Sequence, residues 1–279
     1  MVASPYHAPE AVDVYLGDLG DPIALADAMA GCDAVLHLAA VADVSQVALD
    51  PVFAEDVNSR GTLNVLEAAR ATGVRRVVYA STIWVYDGCS QPEVDEATAL
   101  GLPKHLYTAT KLAGEMYSTA YAELYGLEYT ILRFGIPYGP RARPAAVVPQ
   151  FVRRALAGEA ITVAGRGDQS RRFVYVEDLA EGVVAALAPV AANRVFNLVG
   201  GEDTTVLEIA EVVRDLVGKV GIVHGDARPG DFRGAQVCGR RAAAELGWTA
   251  ETRFADGVRA YLDWHREHHA IAAADGALG

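Results

Sequence analysis

Short apolar runs alternate with longer stretches in which apolar residues recur every three or four positions. The short runs are rich in β-branched and aliphatic residues and predict strands, whereas the longer periodic stretches predict helices. The predicted strands are Val12–Leu16, Ala34–Leu38, Val77–Ala80 and Thr130–Arg133. The predicted helices are Pro22–Ala30, Asn58–Ala71 and Tyr107–Tyr125. Regular alternation of strand and helix predicts an α/β fold with a parallel sheet covered on both faces.

Local signals place the ends of two of these helices. Asn58-Ser59-Arg60 offers an N-cap, because a short polar side chain there can accept a hydrogen bond from the first turn. Gly73 and Gly126 follow the last periodic residues, where a glycine adopts the left-handed conformation that closes many helices.

The alternation loosens after about residue 140, where loops rich in Gly, Arg and Asp separate the helical patterns. Val206–Val217 and Phe254–His268 are the clearest of these helices. We expect residues 141–279 to form mainly a smaller lobe that closes over a ligand, since binding residues concentrate on loops that a rigid scaffold holds. Residues 173–200 could instead return to the main sheet.

Composition excludes several classes of function. The 279 residues include 36 acidic and 24 basic side chains, and this net charge of −12 disfavours general nucleic-acid binding. The three cysteines form no CxxC, which argues against a zinc ribbon or a disulfide scaffold and suits a reducing cytoplasm. No export signal and no apolar run of about 18 residues is found. We expect a soluble, cytoplasmic protein with no membrane partner and no metal.

The clearest chemical signal is a tyrosine four residues before a lysine, Tyr107 and Lys111. Residues four apart share one face of a helix, so the phenol and the ammonium are neighbours. A nearby cation favours the phenolate and lowers the pKa of a tyrosine toward a useful value. The chain has only three lysines, so an accidental surface pair is a modest alternative.

A second signal lies at the end of the Val77–Ala80 strand, where Ser81 and Thr82 follow. Ligands of open α/β sheets bind at the carboxyl ends of the strands, so a hydroxyl there could hydrogen-bond a substrate oxygen. Taken alone, Ser-Thr at a strand end is more often a turn or helix cap, and that alternative stays open.

Together these elements resemble the extended short-chain dehydrogenase/reductase family, especially its nucleotide-sugar epimerases of the UDP-galactose 4-epimerase type. The resemblance runs in order from about residue 12 to about residue 265. The matching motifs are Gly17-Asp18-Leu19, His37-Leu38-Ala39-Ala40, Val57-Asn58-Ser59-Arg60-Gly61, Thr82, and the pair Tyr107 and Lys111. The resemblance implies a Rossmann-like, doubly wound sheet in an NAD-binding domain over residues 1–140, and a homodimer.

The resemblance also implies roles for individual residues. Thr82, Tyr107 and Lys111 would be catalytic. The residues that would contact NAD are Asp18, Leu19, Leu38, Ala39, Ala40, Asn58, Ser81, Tyr107 and Lys111. Arg171, in Gln169-Ser170-Arg171-Arg172-Phe173, and Arg228, in Arg228-Pro229-Gly230-Asp231, would meet the diphosphate of a nucleotide-diphosphate sugar, and Thr82 would hydrogen-bond the reacting oxygen of that sugar. Guanidinium groups suit phosphate oxygens, although the two arginines could also merely solvate an acidic surface.

Three departures from the family pattern shape the interpretation. The glycine-rich dinucleotide fingerprint is absent, so we expect the first β-α-β unit to lie upstream; a rearranged edge or a partner is the alternative. Ile136 stands where the family usually has an asparagine that helps to hold the diphosphate. Thr82-Ile83-Trp84 stands where family dehydratases have Thr-Asp-Glu, so the acid and base for removing water are not evident.

The sequence therefore predicts an NAD-dependent enzyme that epimerises a nucleotide-diphosphate sugar through a transient 4-keto intermediate, like UDP-glucose 4-epimerase. A same-family oxidoreductase with net hydride transfer is one alternative. A non-catalytic paralogue that binds a sugar nucleotide or a partner protein is the other.

Overall fold

The structure is a computed structural model that describes residues 12–226 and 236–275. The chain divides into two compact units. The first comprises Met1–Tyr79 and His105–Tyr129, and the second comprises Ala80–Lys104 and Thr130–Gly279.

Helices and strands alternate along most of the described residues. The α-helices are α1 (Pro22–Met29), α2 (Val44–Leu49), α3 (Pro51–Glu55), α4 (Gly61–Thr72), α5 (Leu106–Tyr125), α6 (Val147–Leu156), α7 (Val176–Ala185), α8 (Val206–Val217) and α9 (Phe254–Asp275). The strands are β1 (Ala34–His37), β2 (Arg76–Thr82), β3 (Glu93–Val94), β4 (Glu128–Phe134), β5 (Ile136–Tyr138), β6 (Ile161–Ala164), β7 (Ser170–Tyr175), β8 (Arg194–Leu198), β9 (Asp203–Thr205), β10 (Ile222–Gly225) and β11 (Gln236–Val237).

The main sheet has the strand order β1-β2-β4-β8, and both β2 and β4 continue from one unit into the other. In the first unit, β1 runs parallel to β2, from Ala34 opposite Arg76 to His37 opposite Tyr79. In the second unit, β4 runs parallel to β8. These parallel pairs and the intervening helices confirm the predicted α/β fold.

In the first unit, α1 and α4 pack together over a core that includes Leu66, Ala69 and Val77. Gly73 and Gly126 end α4 and α5 in the left-handed conformation, with φ of 77° and 71°. Both predicted helix ends are therefore confirmed. The glycines are required there because a side chain is strained at these φ values.

The predicted strand at residues 12–16 is wrong. This segment has no regular secondary structure and pairs with no strand of the described chain, and its apolar side chains face solvent, Leu16 being 82% exposed. A strand needs a neighbour to satisfy its backbone groups. Among the described residues β1 has a partner on one edge only, which is β2.

The predicted N-cap at residues 58–60 is also wrong. Residues Asp56–Arg60 form a π-helical turn that leads without interruption from α3 into α4. Asn58 is thus inside a continuous helical segment, where its buried side chain bonds to other parts of the first unit instead of capping a helix.

The described residues of the second unit form three further small sheets, including the three-stranded sheet β5-β7-β9. Its core is rich in aromatic rings, and Tyr138 contacts Phe173, Tyr175 and Phe254 with centroids 4.7–6.1 Å apart. Packing of rings at these distances stabilises the core beyond the area that it buries. The three-stranded sheet and this core hold β7, which carries the predicted diphosphate-binding Arg171.

Across residues 12–226 and 236–275, no helix has the length and apolar character that crossing a lipid bilayer requires. Within the same residues, His, Cys, Asp and Glu side chains form no group of three or more that could hold a metal ion.

Candidate active site

Helix α5 presents Tyr107 and Lys111 on its buried face in the first unit. Tyr107 is 8% exposed and Lys111 only 4%. The helix begins at Leu106, so the pair lies in its first two turns. The structure therefore brings the phenol and the ammonium to one face, as their spacing predicts.

Burial changes the chemistry of Lys111. Desolvation lowers the pKa of its ammonium group from 10.5 to about 8. The nitrogen lies 5.0 Å from the centroid of the Tyr79 ring, which offers a cation–π contact in place of water. With a pKa near 8, Lys111 remains mostly protonated at neutral pH and can stabilise an adjacent phenolate.

Tyr79 packs closely against α5 below this pair. Its hydroxyl donates to the backbone carbonyl of Lys111 at 3.3 Å. A side chain at Gly114 would collide with the phenol ring of Tyr79, so only glycine allows this approach. Neither residue was predicted from the sequence. A glycine three positions after Lys111 inside a helical pattern was the available signal.

Asn58 ties three segments of the first unit together. Its Oδ1 accepts from the Val41 N–H at 2.8 Å, and its Nδ2 donates to the Val41 carbonyl at 3.0 Å and to Thr110 Oγ1 at 3.1 Å. These bonds fix the segment of Leu38, Ala39 and Ala40 just before Val41, and they reach α5 beside Lys111. Asn58 is a positioning residue for both.

His37, at the end of β1, is a buried histidine that bonds to α4. The Thr62 hydroxyl donates to the Asn58 carbonyl at 2.6 Å and therefore accepts from His37 Nε2, 2.9 Å away. Burial, and secondarily the charge of Lys111, lower the pKa of His37 to about 4. With so low a pKa, His37 is a weak proton acceptor at neutral pH.

The turn that contains Asp18 and Leu19 is ordered by local bonds. Asp18 Oδ1 accepts from the Gly20 N–H at 2.7 Å, and Asn64 Nδ2 from α4 donates to the Leu19 carbonyl at 2.8 Å. The side chain of Asp18 is exposed and that of Leu19 half-buried. The turn is therefore held in place although the preceding segment is not a strand.

Ser81 and Thr82 lie in the second unit, at the buried carboxyl end of β2. Thr82 Oγ1 accepts from the Trp84 N–H at 3.2 Å and so caps the 3₁₀ turn Ile83–Tyr86. The capping alternative is therefore confirmed. It leaves the hydroxyl proton as a donor, because the bond to Trp84 uses only a lone pair.

A cavity of about 300 Å³ lies within the second unit. Trp84 and Tyr86 from the 3₁₀ turn line one part of it, and Arg171 and Arg172 from β7 line another. The remaining lining residues are Ile83, Asp87, Pro92, Ser170, Asp203, Gln236 and Val237. Aromatic surface beside guanidinium groups is suited to an anionic ligand that also has apolar faces.

The two arginines of β7 differ in their surroundings. Arg172 pairs with Asp203 at 3.2 Å and donates to the Gly200 carbonyl at 2.9 Å. Arg171 places its guanidinium 5.5 Å from the Trp84 ring centroid and donates to the Ser170 carbonyl at 2.7 Å. Both guanidinium groups line the cavity, where the sequence predicts that Arg171 meets a diphosphate. Arg228 lies outside the described residues.

Comparison with known proteins identifies the chain's relatives. The profile of the NAD dependent epimerase/dehydratase family matches residues 2–199. UDP-glucuronate 4-epimerase of Thermodesulfobacterium geofontis is 32% identical over 237 residues, which cover 84% of this chain and 73% of the relative.

Two solved structures share the fold closely. The structure of UDP-glucose 4-epimerase from Thermotoga maritima with UDP-glucose has a TM-score of 0.85 at 29% identity, covering 90% of this chain and 84% of that one. A dTDP-glucose 4,6-dehydratase double mutant from Streptomyces venezuelae with NAD bound has a TM-score of 0.84 at 30% identity, covering 91% and 80%. Together with the match of the family profile, these likenesses show that the chain belongs to the NAD dependent epimerase/dehydratase family of nucleotide-sugar enzymes.

Proposed function

We propose that this chain catalyses the NAD-dependent 4-epimerisation of a nucleotide-diphosphate sugar through a transient 4-keto intermediate. The observation that carries the proposal is the buried Tyr107 and Lys111 pair on α5, in a chain whose relatives include UDP-sugar 4-epimerases. A protein that only binds a sugar nucleotide has no chemical need for a buried ammonium beside a tyrosine, since burying that charge costs free energy.

The first unit supplies groups that fit a nicotinamide cofactor. The buried ammonium of Lys111 and the phenol of Tyr107 suit the hydroxyls of a ribose. The Leu38–Ala40 segment that Asn58 holds and the turn of Asp18 and Leu19 would contact other parts of NAD. Ser81, which lies in the second unit, would contribute a hydroxyl. The chemistry that NAD would supply when held there is reversible hydride transfer with the sugar carbon.

Proton transfer is the part of the reaction that we assign to Tyr107. As a phenolate it would accept the proton of the sugar 4-hydroxyl and later return it to the 4-keto oxygen. Lys111 would favour the phenolate through its charge, which it keeps up to a pH near 8. In the second unit, the Thr82 hydroxyl would donate a hydrogen bond to the reacting oxygen, while its own oxygen accepts a hydrogen bond from the Trp84 N–H.

Epimerisation also requires that the keto sugar turn while its nucleotide stays bound. Arg171 would anchor the diphosphate so that only the sugar rotates, which keeps the reacting atoms close. Trp84 supports Arg171 from one side through its ring. Arg228 would be a second anchor. Ile136 offers no amide for the diphosphate, so the arginines bear more of this contact.

Epimerisation fits the site better than dehydration does. The 3₁₀ turn after Thr82 carries Ile83 and Trp84 into the cavity and presents no carboxylate at these two positions. Removal of water from a sugar requires a general acid and a general base. An oxidoreductase with net hydride transfer would use the same Tyr107 and Lys111, and the products distinguish the two reactions.

The proposed reaction is tested by incubating the protein and NAD⁺ with UDP-glucose and, separately, with UDP-glucuronate. We expect the 4-epimer to accumulate with no net change in absorbance at 340 nm. A stoichiometric rise at 340 nm would indicate an oxidoreductase, and a 4-keto-6-deoxy product would indicate a dehydratase. Binding of UDP with no conversion would favour a non-catalytic paralogue.

We also propose that the protein acts in the cytoplasm as a homodimer, with residues 1–140 serving NAD and 141–279 mainly the sugar nucleotide. Free thiols at Cys32, Cys89 and Cys238 support a reducing compartment. Exposed apolar side chains on α3 and α5, including Phe53 and Met116, support a helix-paired interface. Light scattering after size-exclusion chromatography measures the mass in solution.

A further inference from the structure

A chain of buried hydrogen bonds lies behind the cavity of the second unit. Arg133 Nη1 donates to the Tyr86 hydroxyl oxygen at 2.8 Å, and that hydroxyl donates to Asn197 Oδ1 at 2.9 Å. Asn197 Nδ2 in turn donates to the Cys238 carbonyl at 2.9 Å. The side chains of Arg133, Tyr86 and Asn197 are 5%, 2% and 0% exposed.

The chemistry of these groups determines which of them donates and which accepts in each hydrogen bond. A guanidinium can only donate, so the oxygen of Tyr86 must accept from Arg133. The single phenol proton is then left for Asn197 Oδ1, which orients the amide so that its nitrogen meets the Cys238 carbonyl. Burial raises the pKa of Tyr86 to about 12, so the phenol keeps this proton throughout the physiological range.

The bonds join two parts of the cavity lining that are far apart in the sequence. Tyr86 ends the 3₁₀ turn that also carries Trp84, and both line the cavity. Cys238 directly follows Val237, which lines it from β11. Asn197 on β8 therefore connects the 3₁₀ turn to β11, and the width between these two parts depends on it.

Asn197 is itself held from a third direction. Its backbone N–H donates to Glu96 Oε1 at 2.7 Å. Arg241 Nε lies 3.8 Å from the other carboxylate oxygen of Glu96. Arg241 Nη1 also donates to the carbonyl of Val195, two residues before Asn197 on β8, at 3.1 Å. The position of the Asn197 amide is thus determined by its backbone as well as by its side chain.

Stability alone does not account for so polar an arrangement. A buried polar network replaced by well-packed apolar residues often costs little or no stability, but it loses directional bonds. A fully satisfied network fixes one geometry. Here that geometry is the relative position of the 3₁₀ turn and β11, which both line a cavity that Arg171 also lines.

We propose that Tyr86, Arg133 and Asn197 are positioning residues that set the width of this cavity for the nucleotide-diphosphate part of the substrate. The inference rests on the proposed function, because it takes the cavity to be the place where that part binds. It predicts that loss of the bonds weakens binding of the nucleotide while NAD⁺ binding, which we assign mainly to the first unit, is unchanged.

The test compares Tyr86→Phe with wild type, using UDP and NAD⁺ as separate probes in titration calorimetry. The substitution removes only the hydroxyl and retains the ring, whose centroid lies 5.0 Å from the Arg133 guanidinium carbon. We expect the Kd of UDP to rise at least tenfold and that of NAD⁺ to change less than twofold. Tyr138→Phe is the matched control, because that buried hydroxyl also donates, to the Phe254 carbonyl, in the same unit. It should leave both Kd values unchanged.

Asn197→Asp provides an independent variant, because it retains the acceptor for Tyr86 but loses the donor to Cys238. It should also raise the Kd of UDP, and it takes over the test if Tyr86→Phe does not fold. The inference would be overturned if a folded variant bound UDP with the same affinity as wild type and its Tm fell no further than that of Tyr138→Phe. So would a wild-type protein that does not bind UDP. Wild-type protein that binds UDP without forming a 4-epimer would contradict only the proposed reaction, since the Kd comparison still decides the role of the network.

Discussion

The two units carry their polar chemistry in different ways. In the first unit the reactive groups, Tyr107 and Lys111, are four residues apart on one helix, and burial gives the lysine its unusual pKa. In the second unit the hydrogen bonds behind the cavity join residues 47, 111 and 41 positions apart. One arrangement depends on helix geometry and the other on the order of strands.

This difference predicts which property, turnover or affinity, a substitution in each region should change. Loss of a group from the α5 pair removes a step of the chemistry but leaves the packing of α5 largely intact. Loss of a group from the cavity of the second unit, or from the hydrogen bonds behind it, changes the shape or charge of that cavity and so affects binding. Effects on turnover and on affinity should therefore separate between the α5 pair and the cavity.

The largest expected effect is on turnover in Tyr107→Phe. The substitution removes the only group that we assign to proton transfer, so kcat should fall about 10³-fold with a small change in the Kd of UDP. Steady-state kinetics with UDP-glucose measure kcat, and calorimetry with UDP measures its Kd. Tyr125→Phe, at the exposed end of the same helix, is the control. Retention of turnover within about tenfold would exclude Tyr107 as the proton carrier.

Lys111→Met should lower kcat about 100-fold, because the phenolate loses its cation. At pH 7 the variant should nevertheless melt at a higher temperature than wild type, since a buried ammonium with a pKa near 8 costs folding free energy. That advantage should shrink as the pH rises from 8 toward 10.5, where folded Lys111 is neutral while the unfolded side chain still binds a proton.

The activity profile gives a second measure of the same group. Wild-type kcat/KM should fall as the pH rises through 8, when Lys111 loses its proton, and the variant should lack this limb. A variant that melts lower than wild type at pH 7 would show that the ammonium contributes more to packing than its burial costs.

A smaller effect, on affinity, is expected in the second unit. Arg171→Gln should raise the Kd of UDP about 30-fold, because it removes charged donors from the cavity. Binding of NAD⁺ should be unchanged. Arg166→Gln, in the exposed ion pair with Asp168 just before β7, is the control for a general change in charge. Equal losses in both variants would mean that Arg171 acts only through long-range attraction.

The smallest effect on activity, with a visible effect on stability, is expected at His37. Its pKa is about 4 in the folded protein and near 6.5 when unfolded, so the unfolded chain binds more protons between these values. Stability should therefore fall as the pH falls from 6.5 to 4, by on the order of 3 kcal/mol from this residue. His37→Gln, which keeps a donor for Thr62, should lose that part of the dependence in urea unfolding curves at pH 7 and pH 4.5.

Equal pH dependence in wild type and His37→Gln would assign the acid sensitivity to other groups. Because the ring is neutral and used as a donor at neutral pH, turnover at pH 7.5 should change less than threefold. A large loss of turnover there would instead point to a part for His37 in the chemistry.

The sequence alone determined the features that depend on near neighbours. The period of apolar residues predicts α5 and α8, Gly73 and Gly126 mark helix ends, and the spacing of Tyr107 and Lys111 places them on one face. The order of motifs along the chain was sufficient for the family. These signals are local or linear, so they do not depend on which segments meet in space.

Only the tertiary structure decided the features that require distant segments to meet. Residues 12–16 have the composition of a strand, but a strand exists only where a neighbour accepts its hydrogen bonds. Asn58 looks like a cap, yet its amide bonds to Val41 and Thr110, 17 and 52 residues away. The partners of Tyr86 likewise come from β4 and β8. A buried polar group must bond to whatever the fold brings near it, and no local pattern in the sequence contains that information.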